Sequence, residues 1–364
     1  MRARPLGPGE LPTFIDLAWA HNRSDPLWVP PLRAILEREL GGGSVFATYG
    51  RQELFLLDGP TGPIGRIGAL VNPRLADAGG RPIGQVGYFE APDDLEAARA
   101  LLEPALEWLR AQGCREALGP MNGGAHRLHR FQVSGFDQAP YLFEPRNPPH
   151  HPRLFEALGW RPVKRWQDYE LDRKQVEALR DLVAPGAARA RRQGYTGEAL
   201  DSVDPFATVA RFQPLLDRVW EGHVGYAPID ATELAEVFAG AVALARPRDT
   251  GVVMDPSGRD VGVAFMFPDW ADAVRAIDGD ASKWGSWLSG PHPKRKVFHT
   301  VALTPEARRS GAPFMLLEGG LEQVLAEGYE RLLCALTIED FKLYERIARP
   351  IREHVLYGRS LDEA

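Results

Sequence analysis

Val301-Ala-Leu-Thr-Pro-Glu-Ala-Arg308-Arg309-Ser310-Gly311-Ala312-Pro313 is the stretch on which the reading of this chain turns. The residues leading into it, Lys296–Leu303, read as a strand. Phe314–Glu327, which follow, recur at helical spacing until Gly328 stops them. A strand that turns sharply into a helix N-terminus brings free backbone N–H groups and the positive helix end to one place. Arg308 and Arg309 add charge there, and Gly311 lets a ligand approach the backbone closely. The product is a site for an anion, a phosphate above all. Pro313 removes one of the donors, and a surface turn that merely caps a helix carries the same local signs.

Working outward, the order of elements around this stretch occurs twice. In the first copy Glu53–Leu57, Ile64–Val71 and Gln85–Phe89 read as strands, Leu95–Gln112 as a strongly periodic helix ended by Gly113, Arg115–Leu118 as a strand, Arg153–Leu158 as a short helix and Val163–Leu171 as the last strand. In the second, Phe206–Trp220 and Ala231–Ala245 read as helices, and Gly251–Asp255 with Val261–Phe267 as a hairpin. Arg331–Leu336 then reads as a strand, Asp340–Ala348 as a helix and His354–Tyr357 as the last strand. Gly113 to Tyr169 spans 56 residues and Gly328 to Tyr357 spans 29, so the first copy carries 27 more, centred on Met121–Arg146. Residues 172–192 are charged and Ala-rich around Pro185-Gly186. The expected division is a first domain over 1–175, a linker over 176–192 and a second domain over 193–364.

Composition limits the function. At 364 residues the chain is long enough for two cores. A net charge of −6 argues against a nucleic-acid partner. Only Cys114 and Cys334 are present, which excludes a disulfide framework and fits a reducing, cytoplasmic setting. His126, His129, His150 and His151 lack a paired Cys or a helical His-Glu motif, so no metal is expected and they read as exposed loop histidines.

At the turn, the chain resembles the GNAT acyl-CoA N-acyltransferases, whose diphosphate loop reads Gln/Arg-x-x-Gly-x-Gly/Ala. Here Arg308 and Gly311 match, Thr304-Pro305 precede them, and Pro313 departs from the sixth position. Trp28-Val-Pro-Pro-Leu, Gly65-Arg-Ile, Gly119-Pro-Met-Asn122, Gly135-Phe-Asp with Asn147-Pro-Pro, His223-Val-Gly-Tyr-Ala-Pro228 and Ile338-Glu339-Asp340 are similar to a two-domain, GNAT-like bacterial family. Phe341 stands where that family usually has Asn. Bacterial N-acyltransferases that make ceramide look similar in broad organisation. The resemblance implies an α/β fold, a mixed sheet with helices on both faces, in two tandem GNAT-like domains.

It further implies acetyl-CoA or a longer acyl-CoA bound by Leu303, Arg308, Arg309, Ser310, Gly311 and Ala312 of the second copy. The acceptor would be a small-molecule or lipid amine that attacks the thioester directly. In the first copy Pro92-Asp93-Asp94 stands where the loop would be, and its carboxylates would repel a diphosphate. GNAT enzymes often place a Tyr where it can protonate the leaving thiolate. Tyr344 offers this in Leu343-Tyr344-Glu345, while the first copy has Phe155. His299 on the central strand and Glu339 past the next strand are the expected bases. Trp220, His223, Tyr226 and Asn122 are the expected acceptor contacts. Trp284, Trp287 and Lys294-Arg-Lys296 read as a lid or a peripheral membrane contact. The alternatives are a long-chain N-acyltransferase on an amino lipid, a non-catalytic binding module favoured by Pro313 and Phe341, and aminoacyl-tRNA-dependent transfer, which the acidic charge opposes.

Overall fold

A computed structural model describes the chain apart from residues 2, 202–203, 245, 247, 284, 286–291 and 363–364. Its first half runs β1 (Ala3–Pro5), α1 (Leu11–Asn22), α2 (Arg33–Leu40), β2 (Arg51–Gly59), β3 (Gly62–Ala76), β4 (Pro82–Glu90), α3 (Leu95–Ala111), β5 (Glu116–Gly119), β6 (Phe131–Gln132), α4 (His150–Ala157) and β7 (Arg161–Asp172). Helix α5 (Arg173–Arg192) joins it to the second half. That half runs β8 (Thr196–Ala199), α6 (Pro205–Trp220), α7 (Ala231–Leu244), β9 (Thr250–Met254), β10 (Asp260–Pro268), α8 (Ala271–Ala276), β11 (Arg295–Leu303), α9 (Ala312–Ala326), β12 (Arg331–Ile338) and β13 (Arg352–Ser360).

Among the described residues the strands form one sheet in the order β1-β2-β3-β4-β5-β13-β7-β12-β11-β10-β9-β8, with β6 against β13. Only β4/β5 and β11/β12 pair in parallel; each pair is joined through a crossover helix, α3 or α9. The order of elements therefore repeats as expected, but the two halves exchange their last strands. β13 pairs with β5 of the first half, and β7 pairs with β12 of the second. The expected boundaries at 175 and 193 divide the chain but not the sheet, since each half is completed by the other's final strand.

The expected linker is a helix. Asp172 caps α5 by accepting from the Gln175 N–H, and the Gln175 side chain accepts from the Asp172 N–H, a complete capping box. Val176, Leu179, Val183, Ala187 and Ala190 recur at helical spacing and are buried against α9 in the second core. The helix expected over Asp340–Ala348 is reduced to a 3₁₀ turn at Tyr344–Arg346. No helix among the described residues is long and apolar enough to cross a membrane.

Of the basic stretch expected to form a lid, Arg295 and Lys296 belong to the sheet instead, while Lys294 stays exposed beside Glu330. Lys296 is fully buried, 2.5 Å from Asp249 and 2.7 Å from Glu327, and Arg295 pairs with Asp269 and Glu170. Trp284 and Trp287 lie outside the described residues.

Candidate active site

In each half the parallel strand pair separates part-way, leaving a V-shaped opening. β11 and β12 pair from Arg295↔Arg331 to Phe298↔Cys334, and then part. Beyond that point β11 remains paired only with β10 and β12 only with β7. His299 is the first residue past the apex. It has no partner on β10, where Phe265 pairs with Thr300 and Met266 with Phe298, so it is the extra residue of a β-bulge. Opposite it β12 is also irregular, and Leu336 has a left-handed backbone, φ +47°. Bulges re-aim side chains, and strained backbone of this kind gathers at functional sites.

The first half has the same opening, and its own chain closes it. β4 and β5 part after Gln85↔Leu118, and β4 bulges at Tyr88, φ +52°. The Met121 N–H donates to the Val86 carbonyl at 2.8 Å, and the Tyr88 N–H donates to Asn122 Oδ1 at 3.1 Å. The chain is so close that a Cβ at Gly87 would overlap Asn122 Oδ1. Asn122, expected to touch an acceptor, instead plugs this opening. In the second half the residues after β12 turn back on themselves, Phe341 N–H to Ile338 carbonyl at 3.0 Å.

Beside the second opening lies a buried ionic cluster built by the strand exchange. Arg352 on β13 stands directly across from Asp168 on β7, and His354, two residues on, shares that face. Asp168 Oδ2 accepts from Arg352 Nε at 3.1 Å and His354 Nε2 at 3.0 Å, and Asp168 Oδ1 accepts from the Leu336 N–H at 2.5 Å. Glu144 lies 3.0 Å from Arg352 Nη2 and 3.3 Å from His354 Nε2. All four side chains are fully buried. Glu144 comes from the 27-residue insertion, as do Arg130, which is buried with φ +77°, and Tyr141, whose ring is 5.9 Å from that of His299.

The charges within the cluster are uneven. Burial and then repulsion from Asp168 push the Glu144 carboxyl up. Burial alone would also raise Asp168, but its hydrogen bonds with Glu144 and His354 and the charges of His354 and Arg352 hold it well below the usual carboxylate range. Burial opposes protonation of His354, and Asp168 and Glu144 more than reverse this. Burial and then the Arg130 charge push His299 down to about 4, so it stays neutral near pH 7. Ligand atoms of Glu144, Asp168 and His354 lie within 4.8 Å of one another, close enough for a metal ion. The Arg352 guanidinium already supplies a cation between the two carboxylates.

No protein-family model matches the chain. A bacterial ceramide synthase of Caulobacter vibrioides is 24% identical over 361 residues, covering 94% of this chain and 92% of its own. Among solved structures, a tandem GNAT protein from the clavulanic acid biosynthesis pathway aligns over 100% of this chain and 99% of its own, with a TM-score of 0.55 at 14% identity. A GCN5-related N-acetyltransferase from Sphaerobacter thermophilus aligns over 99% and 95%, with a TM-score of 0.50 at 14% identity. The chain has the tandem GNAT fold.

In this fold the expected diphosphate loop forms as a 3₁₀ turn, Ala307–Arg309, leading into α9. Its parts are partly engaged. The Arg308 guanidinium donates to the carbonyls of Leu303, at 3.0 Å, and Val219, at 3.1 Å. Ser310 Oγ accepts from the Ala312 N–H at 3.0 Å. Gly311 serves packing: a Cβ there would overlap the Gly186 carbonyl of α5 and come within 2.8 Å of Ala190 Cβ. Gly311→Ala should therefore cost about 1–3 kcal/mol of stability without any ligand, as overpacking does. Thermal melts check this, and an unchanged melt would mean that α5 is not seated on the loop. Arg309 remains exposed.

The other expected residues divide. His299 faces the cluster, and the Tyr344 hydroxyl meets Cys334 Sγ at the apex, its ring buried against Tyr169 and Phe341. Burial and then Cys334 push that hydroxyl well above its ordinary value. Glu339 lies just beyond the end of β12 at Ile338, five residues past Cys334 at the apex or about 16 Å along the strand. Trp220 and Tyr226 pack on His126 of the insertion, ring centroids 5.0 and 5.3 Å away, and half-exposed His223 stands near Arg308. Three loop histidines expected at the surface are inside: burial pushes His126 down to about 4, and His129 and His151 well below their ordinary value. In the first half Asp94 caps α3, accepting from the N–H groups of Glu96 and Ala97, while Asp93 pairs with Arg153 at the surface.

Arg130, Tyr141, Glu144, Asp168, Arg352 and His354 escaped the sequence reading. The one sequence signal toward them was the insertion, which carries the first three.

Proposed function

We propose that this chain is an acyltransferase that moves an acyl group from a coenzyme A thioester to an amine, with the chemistry in the β11–β12 opening. One observation carries the reading: that opening has its bulge at His299 beside the buried Asp168–His354–Glu144–Arg352 cluster, whereas the first opening is plugged by Met121 and Asn122. An acyl-CoA would supply an activated thioester. Exposed Arg309 and the N-terminus of α9 fit its diphosphate in charge and position, with Ser310 and Ala312 shaping the turn.

The chain's own groups then have distinct tasks. The bulge at His299 turns main chain toward the opening, where an N–H can polarise a carbonyl. The His299 imidazole, unprotonated near pH 7, accepts a proton from the amine. The Tyr344 hydroxyl, protonated throughout the working range, can only donate one.

A longer acyl group fits better than acetyl. Val301 on one arm of the opening is 40% exposed and Ile338 on the other 38%, an apolar rim suited to a hydrocarbon chain. The Caulobacter relative, by its name a ceramide synthase, supports the same reading and an amino-lipid acceptor. The test is to incubate the full chain with acetyl-CoA or palmitoyl-CoA and dodecylamine, with mass spectrometry for the amide and thermal shift for binding. A donor at a hundredfold excess over Kd should stabilise the fold by about 2.7 kcal/mol. Amide should form faster from palmitoyl-CoA. No shift and no amide with either donor would overturn the assignment.

A further inference from the structure

The arms of the second opening are bent by two bulges at the same level. On β11 the extra residue is His299, the first past Phe298↔Cys334. On β12 the ladder with β7 steps from Cys334↔Tyr169 to Thr337↔Gln167, so Ala335 and Leu336 together face Asp168 alone. A bulge bends its strand, and bulges on facing arms carry those arms apart. The β12 bulge has a cost that the β11 bulge lacks. Leu336 is left-handed, φ +47°, a backbone that glycine adopts freely and leucine rarely does, whereas His299 is not left-handed.

The residue facing the bulge offsets that cost. Asp168 Oδ1 accepts from the Leu336 N–H at 2.5 Å. Asp168 Oδ2 is fixed on β13 by Arg352 Nε at 3.1 Å and His354 Nε2 at 3.0 Å. Arg352 is braced in turn by the insertion, donating from Nη1 to the Ala139 carbonyl at 2.5 Å and lying 3.0 Å from Glu144. One buried carboxylate thus spans two strands, anchored on β13 and gripping β12.

The first half lacks this device. Its apex residue Leu118 faces Gly358, and the residue before Gly358, in the place of Asp168, is Tyr357. Tyr357 donates its hydroxyl to Glu156 Oε1 at 2.8 Å and grips no strand. β5 and β13 pair through Gly119↔Tyr357 without a bulge, and no residue from 116 to 122 is left-handed. There the chain after β5 falls back onto β4, Met121 N–H to the Val86 carbonyl.

We propose that Asp168 is a positioning residue of the acyl-donor site: its grip on the Leu336 N–H keeps β12 bent away from β11, and so keeps open the gap that the donor's thioester arm enters. The inference rests on the acyltransferase reading of this opening and adds a residue that acts through main chain. Parallel strands pair for as long as their N–H and C=O groups meet in register. Without the grip Leu336 relaxes toward extended backbone, β12 straightens toward β11 and the gap narrows. The N-terminus of α9, where the donor's diphosphate would sit, is not part of the gap.

The test measures, by titration calorimetry on the full chain, the binding of palmitoyl-CoA and of adenosine 3′-phosphate 5′-diphosphate, the same nucleotide end without the thioester arm. Asp168→Ala should weaken palmitoyl-CoA about ten- to a hundredfold and leave the fragment within about twofold, because only the arm's fit has changed. Leu336→Gly supplies the rescue, since glycine holds φ +47° unaided. Asp168→Ala with Leu336→Gly should recover the affinity of Leu336→Gly alone, while Tm stays as low as in Asp168→Ala because the ion cluster is still broken. An unchanged palmitoyl-CoA affinity in Asp168→Ala, an equal loss for the fragment, or a loss that Leu336→Gly leaves in place would overturn the proposal.

Should Asp168→Ala not fold, Asp168→Asn takes its place. A neutral amide oxygen grips more weakly than a carboxylate, so palmitoyl-CoA should weaken by about three- to tenfold, again with the fragment unchanged and again recovered by Leu336→Gly. No loss, or a loss not recovered, sinks the proposal there too. If the wild type binds no acyl-CoA, the acyltransferase reading falls, and hydrogen exchange reads the grip directly. The Leu336 amide should then exchange faster in the Asp168 variants while the Leu332 amide of the same strand keeps its rate, and equal rates at Leu336 would mean that Asp168 holds nothing.

Discussion

Asp168→Ala is expected to destabilise the protein by about 3–5 kcal/mol, the usual cost of removing one member of a buried ion cluster. Asp168 is the acceptor for Arg352 Nε, His354 Nε2 and the Leu336 N–H. Its loss leaves an arginine and a histidine, both fully buried, facing Glu144 alone, and it frees the strained main chain at Leu336. For a chain of this length the change corresponds to a fall in Tm of about 4–7 °C. Because Asp168 lies on β7 and its partners on β13, the loss acts at the junction of the two halves. Asp168→Asn keeps an acceptor for the Leu336 N–H and should cost less. A melt of Asp168→Ala within about a degree of the wild type would mean that the cluster does not hold the exchanged strands together.

Tyr344→Phe is expected to lower kcat by about 10²–10⁴-fold, the range for a positioned proton donor, with the KM for the acyl donor nearly unchanged. The substitution keeps the ring between Tyr169 and Phe341 and removes only the hydroxyl at Cys334. Stability should therefore change by less than about 1 kcal/mol. Rate and stability separate the two roles this residue could have. A lower Tm with unaltered kcat would make Tyr344 a packing residue and leave protonation of the leaving group to water. The first half already has Phe155 at the corresponding place, buried among Phe89, Phe131 and Trp160, in a half whose opening is closed.

The readable features of the sequence are local ones. β11, the 3₁₀ turn and α9 lie where the stretch around Arg308 put them, since Pro305, Gly311 and Gly328 act within a few residues of where they stand. The role of Gly311 was less legible. Its neighbours Gly186 and Ala190 are over a hundred residues away, and closeness to a helix looks in sequence like closeness to a phosphate. Helix α5 was readable and missed. Its apolar positions Val176, Leu179, Val183, Ala187 and Ala190 keep helical spacing straight through Pro185, whose punctuation was given too much weight.

By itself the sequence determined the two-fold repetition of elements, the position of the turn before α9 and the 27 residues by which one copy exceeds the other, because periodicity, capping and chain length are properties of neighbouring residues. Tertiary structure alone decided which strands pair at the centre. β7 and β13 could each have closed their own half, and their exchange is a matter of long-range register that no local pattern encodes. That exchange brings Asp168 against Arg352 and His354, and the insertion adds Arg130, Tyr141 and Glu144. The candidate site is thus assembled from segments up to 224 residues apart, Arg130 to His354, and its electrostatics follow from burying unlike charges together.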